Sequence, residues 1–345
     1  MRKRSFTFTN SSVDYYFDAD FSYLEKLVSK EKAVIITDEN LFAKHQRKFK
    51  GWNTIVLKPG EAYKVQQTVD VVIDQLIAFG ADRSTTLIGV GGGVITDMTG
   101  YIAGVYMRGI KCGFVPTSVL AMVDASIGGK NGIDVGLYKN MVGLIRQPQF
   151  LLYDISFLKT LPQSEWQNGF AEIIKHACIK DAAMFTLLQN NTLAKFKKDP
   201  ALLAALIQRN ALIKTKVVLK DEFEQADRKL LNFGHTLGHA IENMYELSHG
   251  QAISIGMTYA TLMSVQIKGF KDAEAVIGLL AKYGLPTFAD FDKKKAFKTL
   301  QMDKKKNANG INYILLQKIG KGVIQSLLFT ELETIFTTII SCVFL

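Results

Sequence analysis

The sequence predicts two domains, a doubly wound α/β domain followed by a mainly α-helical one. Short apolar runs alternate with helical patterns over roughly the first 155 residues. After Leu161-Pro162 the strand-like runs nearly vanish and long helical periods follow. The chain of 345 residues also exceeds the size of one typical domain. We therefore place a boundary near residue 158, with residues 1–158 in the first domain and 159–345 in the second.

The predicted strands of the first domain are short runs bounded by Gly, Pro, Asp or Asn. They are Ala33 to Thr37, Thr54 to Leu57, Thr85 to Val90, Cys112 to Val115 and Phe150 to Tyr153. Several are too continuously apolar to have one wet face, which is typical of buried parallel strands. Between the second and third, Ala62 to Phe79 carries apolar residues at helical spacing. This alternation predicts a parallel sheet covered by helices.

The second domain is predicted to consist mainly of helices. They are Trp166 to Ile179, Leu202 to Leu219, His235 to Glu246, Ile253 to Val265 and Ala273 to Tyr283. Late in the chain, Asn312 to Leu316 is strand-like. The sequence contains neither an internal repeat nor a low-complexity linker.

Composition narrows the class of function. Apolar residues make up 48% and charged residues 21%, which is typical of a globular protein with a sizeable core. The net charge is +10, yet the basic residues are dispersed and no nucleic-acid-binding motif accompanies them. We therefore expect an anionic small-molecule substrate, with no nucleic acid and no membrane as partner. Three scattered cysteines and the lack of an apolar segment after the N-terminal charges favour a cytoplasmic protein.

A glycine-rich segment, Gly89 to Asp97, follows a predicted strand and opens a helix. Consecutive glycines let backbone amides approach a phosphate, and a helix N-terminus adds partial positive charge. The segment does not match G-x-G-x-x-G, and the nearest candidate for a ribose-binding carboxylate, Asp38, precedes it. We favour a dinucleotide site of a different kind over a purely structural turn.

A second segment gathers small residues around two lysines and an asparagine. Lys130 follows Gly128-Gly129, and Lys139 precedes Asn140. Ammonium groups beside glycines meet little steric obstruction, so they can bind phosphate or carboxylate. A lone lysine would be attributed to the surface, but two within ten residues of an apolar region favour an anion site.

Four of the five histidines lie near carboxylates in the second domain. Glu172 and His176 are four apart, His235 and His239 are four apart, and His249 follows closely. One carboxylate and two imidazoles form the ligand set of a catalytic zinc ion. Helical spacing puts His235 and His239 on one face, so either or both could bind the metal. Periodicity does not decide whether Glu172 joins them.

Taken together, these segments resemble the signature blocks of the 3-dehydroquinate synthase family, from roughly residue 33 to residue 306. The blocks are Pro59 to Lys64, Gly91 to Asp97, Val123 to Lys130, Lys139-Asn140 and Asn232 to His239. The resemblance implies a Rossmann-like N-terminal domain, an α-helical C-terminal domain, NAD, one zinc (or cobalt) ion and commonly a homodimer. It also implies a carbon–oxygen lyase of the shikimate pathway, which converts 3-deoxy-D-arabino-heptulosonate 7-phosphate to 3-dehydroquinate and phosphate.

The same resemblance assigns roles to individual positions. The implied metal ligands are Glu172, His235 and His249, while His239 serves the chemistry. The implied NAD contacts are Asp38, Asn40, Glu61, Lys64, Gly92, Gly93, Val94, Ile95, Thr96, Asp97, Thr117, Ser118, Lys130, Lys139, Phe157, Leu158, Lys159 and Thr160. The implied substrate and catalytic residues are Asp124, Lys130, Asn140, Lys175, Lys214, Arg228 and Asn232, together with Arg108, lent across the dimer, and Lys304 or Lys305 at the phosphate.

Three positions depart from the commonest family pattern. Ser118 replaces a second threonine, Asn131-Gly132 replaces a threonine-containing pair, and Gln251 stands where glutamate is usual. Gln251 cannot supply a negative charge to the metal surroundings. The alternatives are another sugar phosphate cyclase and a metal-dependent polyol dehydrogenase. Lys214 and Arg228 discriminate against the other cyclase, because a carboxylate clamp is expected only for an acid substrate. A polyol dehydrogenase would not need the set Lys130, Lys139, Lys175, Lys214 and Arg228. A non-enzymatic anion-binding protein would explain the charge but not the ordered metal ligands.

Overall fold

The computed structural model describes residues 1–136, 138–242, 244–302, 306–307 and 310–335. The chain forms two compact units. The first comprises residues 1–166 and 200–223, and the second comprises residues 167–199 and 224–345. The prediction that residues 1–158 bind NAD and residues 159–345 bind metal and substrate stays a prediction.

The elements up to residue 152 are strands and helices. They are β1 (Arg2–Thr7), β2 (Ser12–Phe17), α1 (Leu24–Leu27), β3 (Ala33–Asp38), α2 (Glu39–Phe49), β4 (Asn53–Leu57), α3 (Gln66–Ala78), β5 (Thr86–Gly91), α4 (Gly93–Val105), β6 (Lys111–Pro116), β7 (Lys130–Val135), β8 (Tyr138–Ile145) and β9 (Phe150–Leu152).

The elements that follow are mainly helical. They are α5 (Gln163–Lys180), α6 (Ala182–Gln189), α7 (Leu193–Lys198), α8 (Pro200–Lys220), α9 (His235–Glu242), α10 (His249–Lys268), α11 (Ala273–Lys282), α12 (Lys293–Met302), β10 (Lys306–Asn307), β11 (Gly310–Lys318) and β12 (Lys321–Leu328).

Seven strands of the first unit form one sheet in the order β1-β2-β9-β6-β5-β3-β4. All neighbours are parallel except β1 and β2, which pair antiparallel. The five predicted strands are β3, β4, β5, β6 and β9, and side chains such as Ile35 and Ile88 are fully buried, as expected of a sheet covered on both faces. These elements confirm the predicted α/β fold followed by a mainly helical part.

The hairpin of β7 and β8 forms a separate two-stranded sheet that packs on α4. Two glycines of α4 make this close approach possible. A Cβ atom at Gly100 would collide with the side chain of Asn131, and one at Gly104 would collide with Leu144. The hairpin, like β1 and β2, was not predicted from the sequence.

In the second unit, α9 and α10 pack closely, and glycines again allow it. A Cβ atom at Gly238 would lie 2.8 Å from Ile253 Cδ1, and Gly256 faces the backbone of Gly234. Strands β10, β11 and β12 form a three-stranded sheet that includes the predicted strand at residues 312–316. Within the described ranges, no helix combines the length and the apolar character needed to cross a bilayer.

Candidate active site

The glycine-rich loop joins the end of β5 to the start of α4. Gly92 is the N-cap of α4, and no side chain in the described part of the chain caps this helix start. A Cβ atom at Gly93 would lie 3.1 Å from the Cβ of Ala125, and the Thr117 amide donates to the Gly91 carbonyl at 3.0 Å. The loop therefore packs tightly against the residues around it. The first turn of α4, which contains Val94, Ile95 and Thr96, forms the positive end of the helix and can bind a phosphate.

A buried lysine, Lys64, connects three of the predicted contact residues. Its Nζ donates to Asp97 Oδ2 and to Asn140 Oδ1, both at 2.6 Å, and lies 3.8 Å from Glu61 Oε1. We call these four residues the Lys64 cluster. Burial alone would lower the pKa of Lys64, but Asp97 and Glu61 raise it. Burial raises the pKa of Asp97, and Lys64 opposes that rise, so the cluster keeps its cation charged.

Asp38 and the turn at residues 155–160 both contact α2. Asp38 is the N-cap of α2 and accepts from the Leu41 amide at 3.0 Å, and Asn40 lies in the first turn of this helix. Further along α2, His45 Nε2 lies 2.9 Å from Thr160 Oγ1, and Lys44 donates to the Thr160 carbonyl. The helix therefore holds the turn in which Phe157 and Leu158 are buried and Lys159 is exposed.

Lys214 and Asp124 meet within the first unit. Lys214 lies on α8, and its Nζ contacts Asp124 twice, the carbonyl at 2.7 Å and Oδ1 at 2.9 Å. Asp124 belongs to a π-helical turn at Ala121–Ala125, a geometry that recurs at functional sites. Lys130 begins β7 and Lys139 lies on β8, both exposed.

Arg108 lies in a strained turn after α4. Met107 and Arg108 have φ angles of 49° and 65°, and Gly109 follows at 117°. Two successive side chains in the left-handed region cost roughly 1–3 kcal/mol each. Such a turn holds the backbone of Arg108 in one conformation and so fixes the direction of its exposed side chain.

In the second unit, a buried carboxylate lies among one ammonium group and two imidazoles. Glu172 on α5 is fully buried. Its Oε1 lies 3.4 Å from His235 Nε2 and 3.2 Å from His249 Nε2, while its Oε2 pairs with Lys175. We call these four residues the Glu172 cluster. The structure thus brings together the three residues that the resemblance implied as metal ligands.

Helix packing positions the two imidazoles. Gly250 at the start of α10 approaches α5 so closely that a Cβ atom there would lie 2.6 Å from Asn168 Cα. Asn168 Oδ1 accepts from the Gly250 amide and from Ser248 Oγ, so it ties the helix start that carries His249 to α5. On α9, the Nδ1 of His235 lies 3.2 Å from the Phe233 carbonyl. Because a carbonyl only accepts, Nδ1 carries the proton and Nε2 is left to face Glu172.

The pKa values in the Glu172 cluster follow from burial and from the charges packed around each group. Burial would raise the pKa of Glu172, but Lys175 and His235 hold it well below its usual range. Burial and then Lys175 lower the pKa of His235 to about 4, so this imidazole is neutral at pH 7. Burial opposes protonation of His249, yet Glu172 and Glu242 raise its pKa to about 9.

Sequence reasoning missed Glu242. Its Oε2 lies 3.7 Å from His249 Nδ1, on the side of the ring opposite Glu172. A carboxylate behind a ligating histidine orients the ring and increases its basicity. The sequence contained a signal, because Glu242 lies seven residues after His235 on the same helix. His239 lies between them, with its ring centroid 5.1 Å from that of His235.

The remaining predicted residues are distributed as follows. Arg228 is buried and Asn232 Nδ2 donates to Glu224 Oε1 at 2.7 Å, both in the 3-10 turn at Asp227–Asn232. Lys304 and Lys305 lie outside the described residues.

The three departures have structural explanations. Ser118 Oγ accepts from the Ala121 amide at 3.1 Å, which a hydroxyl of either residue type can do. Asn131 Nδ2 donates to the Gly129 and Arg146 carbonyls and thereby ties the open end of the β7–β8 hairpin. Gln251 forms a capping box with Ser248 at the start of α10, so its role here is at the helix end rather than at the imidazole.

Comparison with known proteins identifies the family. The model of the 3-dehydroquinate synthase N-terminal domain matches residues 54–168, and that of the C-terminal domain matches residues 169–306. The chain is 38% identical over 315 residues to the 3-dehydroquinate synthase of Dehalococcoides mccartyi, covering 87% of this chain and 88% of the relative.

Solved structures share the fold. A 2-epi-5-epi-valiolone synthase from Streptomyces hygroscopicus subsp. jinggangensis 5008, solved with NAD+ and Zn2+, superposes with a TM-score of 0.87 at 25% identity, covering 99% of both chains. A probable glycerol dehydrogenase from Sinorhizobium meliloti 1021 superposes with a TM-score of 0.66 at 15% identity, covering 96% of this chain and 97% of the other, which shows the shared fold alone. The two matched models and the 38% identity establish that this chain belongs to the 3-dehydroquinate synthase family.

Proposed function

We propose that the chain converts 3-deoxy-D-arabino-heptulosonate 7-phosphate to 3-dehydroquinate and phosphate, with NAD and a divalent metal ion. The convergence of Glu172, His235 and His249 carries the proposal, together with the family membership. The relative with bound NAD+ and Zn2+ supports the choice of cofactors, and cobalt could take the place of zinc.

Two distances in the Glu172 cluster support a zinc ion as the bound metal. In a tetrahedral site with bonds of about 2.0–2.1 Å, two ligand atoms lie about 3.3–3.4 Å apart. The distances of 3.2 and 3.4 Å from Glu172 Oε1 to the two imidazole nitrogens match this edge. They are long for charge-assisted hydrogen bonds, which are about 2.7–2.9 Å. Three protein ligands also leave the fourth position that catalysis needs.

The glycine loop and the Lys64 cluster suit NAD. The first turn of α4 offers backbone amides and a positive dipole to the pyrophosphate, and Gly93 leaves no room for a side chain. The bound NAD would supply reversible acceptance of a hydride from carbon 5, and a metal ion held by Glu172, His235 and His249 would acidify the hydroxyl group on that carbon.

The side chains of this chain perform the other tasks. Lys175 keeps Glu172 ionised, so the ligand stays anionic in a dry environment. We assign carboxylate binding to Arg228, because a guanidinium can form two parallel bonds to a carboxylate. We assign binding of the phosphate, and of the charge that develops as it leaves, to the exposed Lys130 and to Lys214. We assign proton transfer to His239, whose ring lies beside that of His235.

An assay distinguishes this function from its rivals. The purified protein, NAD in catalytic amount and zinc are incubated with the heptulosonate phosphate, and phosphate and dehydroquinate are measured. We expect stoichiometric release of both without net NADH, since NAD is regenerated. Net NADH would indicate a polyol dehydrogenase, and equal turnover of a carboxylate-free sugar phosphate would indicate another cyclase. In Arg228→Lys, the KM for the acid should rise about 10- to 100-fold while zinc content is unchanged.

We further propose a homodimer in which Arg108 serves the partner's site. Apolar side chains are exposed at the end of α4 and along β8, namely Val105, Met107, Met141, Val142 and Ile145. Gly104 packs against Leu144 and so joins these two elements into one apolar surface.

The buried, reduced Cys112 and Cys178 support a cytoplasmic location.

Mixing two inactive variants tests the shared site. If Arg108 acts across the dimer, Arg108→Ala and Lys175→Ala should each be inactive. Subunit exchange would then produce hybrids with one intact site, so activity should return. A mixture that stays inactive although hybrids form would contradict the assignment of Arg108.

A further inference from the structure

Asp134 holds a position that none of the predicted contacts includes. It lies at an irregularity of the β7–β8 hairpin, where the register passes from Ile133↔Val142 to Val135↔Tyr138. Between these pairs, Asp134 alone opposes the three residues Lys139 to Met141. Bulges of this kind re-aim side chains and are over-represented beside active sites.

The hydrogen bonds of Asp134 reach two members of the Lys64 cluster, Lys64 and Asn140. Its backbone amide donates to the Lys64 carbonyl at 2.8 Å. Its Oδ1 accepts from the Asn140 amide at 2.6 Å. The side chain of Asn140 in turn accepts from Lys64 Nζ at 2.6 Å. These contacts close a ring that runs from the Lys64 backbone through Asp134 and Asn140 to the Lys64 ammonium group.

Asn140 needs such a support. Its φ angle is 51°, in the left-handed region, which asparagine adopts more readily than most residues with a Cβ atom but less readily than glycine. Asn140 is also exposed, so packing does not hold it in place. The Asp134 carboxylate, which is half-buried, fixes the Asn140 amide and thereby the direction of its carboxamide. Without that bond, the bulge can relax and the carboxamide can leave Lys64.

We propose that Asp134 is a positioning residue that fixes Asn140 and Lys64 relative to each other and so sets the affinity for NAD and for the sugar phosphate. The proposal rests on the proposed function, because it takes Lys64 as a contact of NAD and Asn140 as a contact of the substrate. Asp134 touches neither ligand in this scheme and acts through its two hydrogen bonds.

Three variants test the proposal, with titration calorimetry for the Kd of NAD and steady-state kinetics for both substrates. Asp134→Ala should raise the Kd for NAD and the KM for the sugar phosphate about tenfold. Asp134→Asn keeps an acceptor oxygen at the same place, so both constants should stay within about threefold of the parent. Should the alanine variant fail to fold, Asp134→Leu keeps the branched shape of the side chain and should show the same losses.

Asp82→Ala is the matched control. Asp82 also orders a turn of the first unit, accepting from the Ser84 amide at 2.8 Å and from Ser84 Oγ at 2.6 Å. Its loss should lower the Tm and leave both constants unchanged.

Each outcome decides something. Parental constants in both Asp134→Ala and Asp134→Leu would overturn the inference and leave the proposed function standing. An asparagine variant as impaired as the alanine variant would show that charge rather than position matters, which also overturns it. A parent protein that does not bind NAD would refute the proposed function and this inference together.

Discussion

The two clusters are built with opposite polarity. In the Lys64 cluster, one cation is surrounded by acceptors, namely Asp97, Asn140 and Glu61. In the Glu172 cluster, one anion is surrounded by Lys175 and two imidazoles. The clusters also differ in their access to water. The side chains of Asp97 and Glu61 are 18% and 43% exposed, whereas those of Glu172 and Lys175 are 0% and 1% exposed.

This difference in exposure determines which substitutions each cluster tolerates. An acceptor that loses Lys64 can be hydrated or can take up a proton, because water reaches it. Lys175 is 1% exposed, so without Glu172 its ammonium group must either stay charged away from water or release a proton, and both are costly. We therefore expect changes at the centre of the Glu172 cluster to affect both stability and chemistry, and changes at the centre of the Lys64 cluster to affect mainly ligand affinity.

Glu172→Gln should produce the largest effect. It keeps the shape of the side chain but leaves Lys175 buried without its counter-ion, which should lower the free energy of unfolding by about 3–5 kcal/mol. Stoichiometric zinc should be lost, and turnover should fall more than about 1,000-fold, since one ligand of three is gone. Metal analysis and denaturant unfolding measure the two effects. Glu274→Gln, at an exposed position of α11, is the control and should change neither. A fully zinc-loaded Glu172→Gln protein would contradict the ligand assignment.

Lys64→Met should have a smaller and more selective effect. It removes the one cation on which the three acceptors converge, so we expect NAD affinity to fall about 10- to 100-fold. Stability should change little by comparison, because water can reach the acceptors. Calorimetric titration with NAD and a melting curve separate the two readouts. The exposed Lys58 offers a matched control in Lys58→Met. If Lys64→Met destabilised the protein as much as Glu172→Gln, exposure would not explain the contrast between the clusters.

The sequence predicted different parts of these clusters for different reasons. The five central strands were predicted because their runs are continuously apolar, and the observed strands agree within one residue at every end. Strand β1 was missed because Arg2, Lys3 and Arg4 make it a charged, exposed edge, which lacks the apolar pattern of a strand. The β7–β8 hairpin was missed because its glycines and lysines indicated an anion-binding loop.

Long-range contacts were harder to predict than motifs. Glu172 and His249 are 77 residues apart in sequence, and no pattern within either segment specifies their distance. The resemblance supplied that pairing, whereas the residues alone left it open. Glu242 and Asp134 were missed for a related reason. Each acts on another side chain through one or two contacts, and such a role leaves no motif of its own.

Glu242→Gln should weaken zinc binding without abolishing it. The carboxylate stands 3.7 Å behind His249 Nδ1, and removing a partner of this kind typically lowers metal affinity about 10- to 100-fold. A competition titration against a chromophoric chelator measures the affinity directly and does not depend on turnover. The loss should be smaller than in Glu172→Gln, where a ligand itself is removed. Unchanged zinc affinity would mean that Glu242 does not tune this imidazole.

Gln251→Glu should have the smallest effect, and it sharpens the assignment of Glu242. In the capping box, Gln251 Oε1 accepts from the Ser248 amide at 2.9 Å, and a glutamate oxygen can accept in the same way. The added negative charge at the N-terminus of α10 should raise the free energy of unfolding by about 0.3–1 kcal/mol. Zinc affinity should stay within about threefold of the parent, because Glu242 already supplies the carboxylate beside His249. Gln251→Ala should lose the bond from the Ser248 amide but keep the one from its own backbone amide to Ser248 Oγ, so stability should fall by about 0.5–1.5 kcal/mol with little change in zinc affinity. A tenfold gain of zinc affinity in Gln251→Glu would instead place the tuning carboxylate at position 251, and Glu242→Gln should then prove nearly silent.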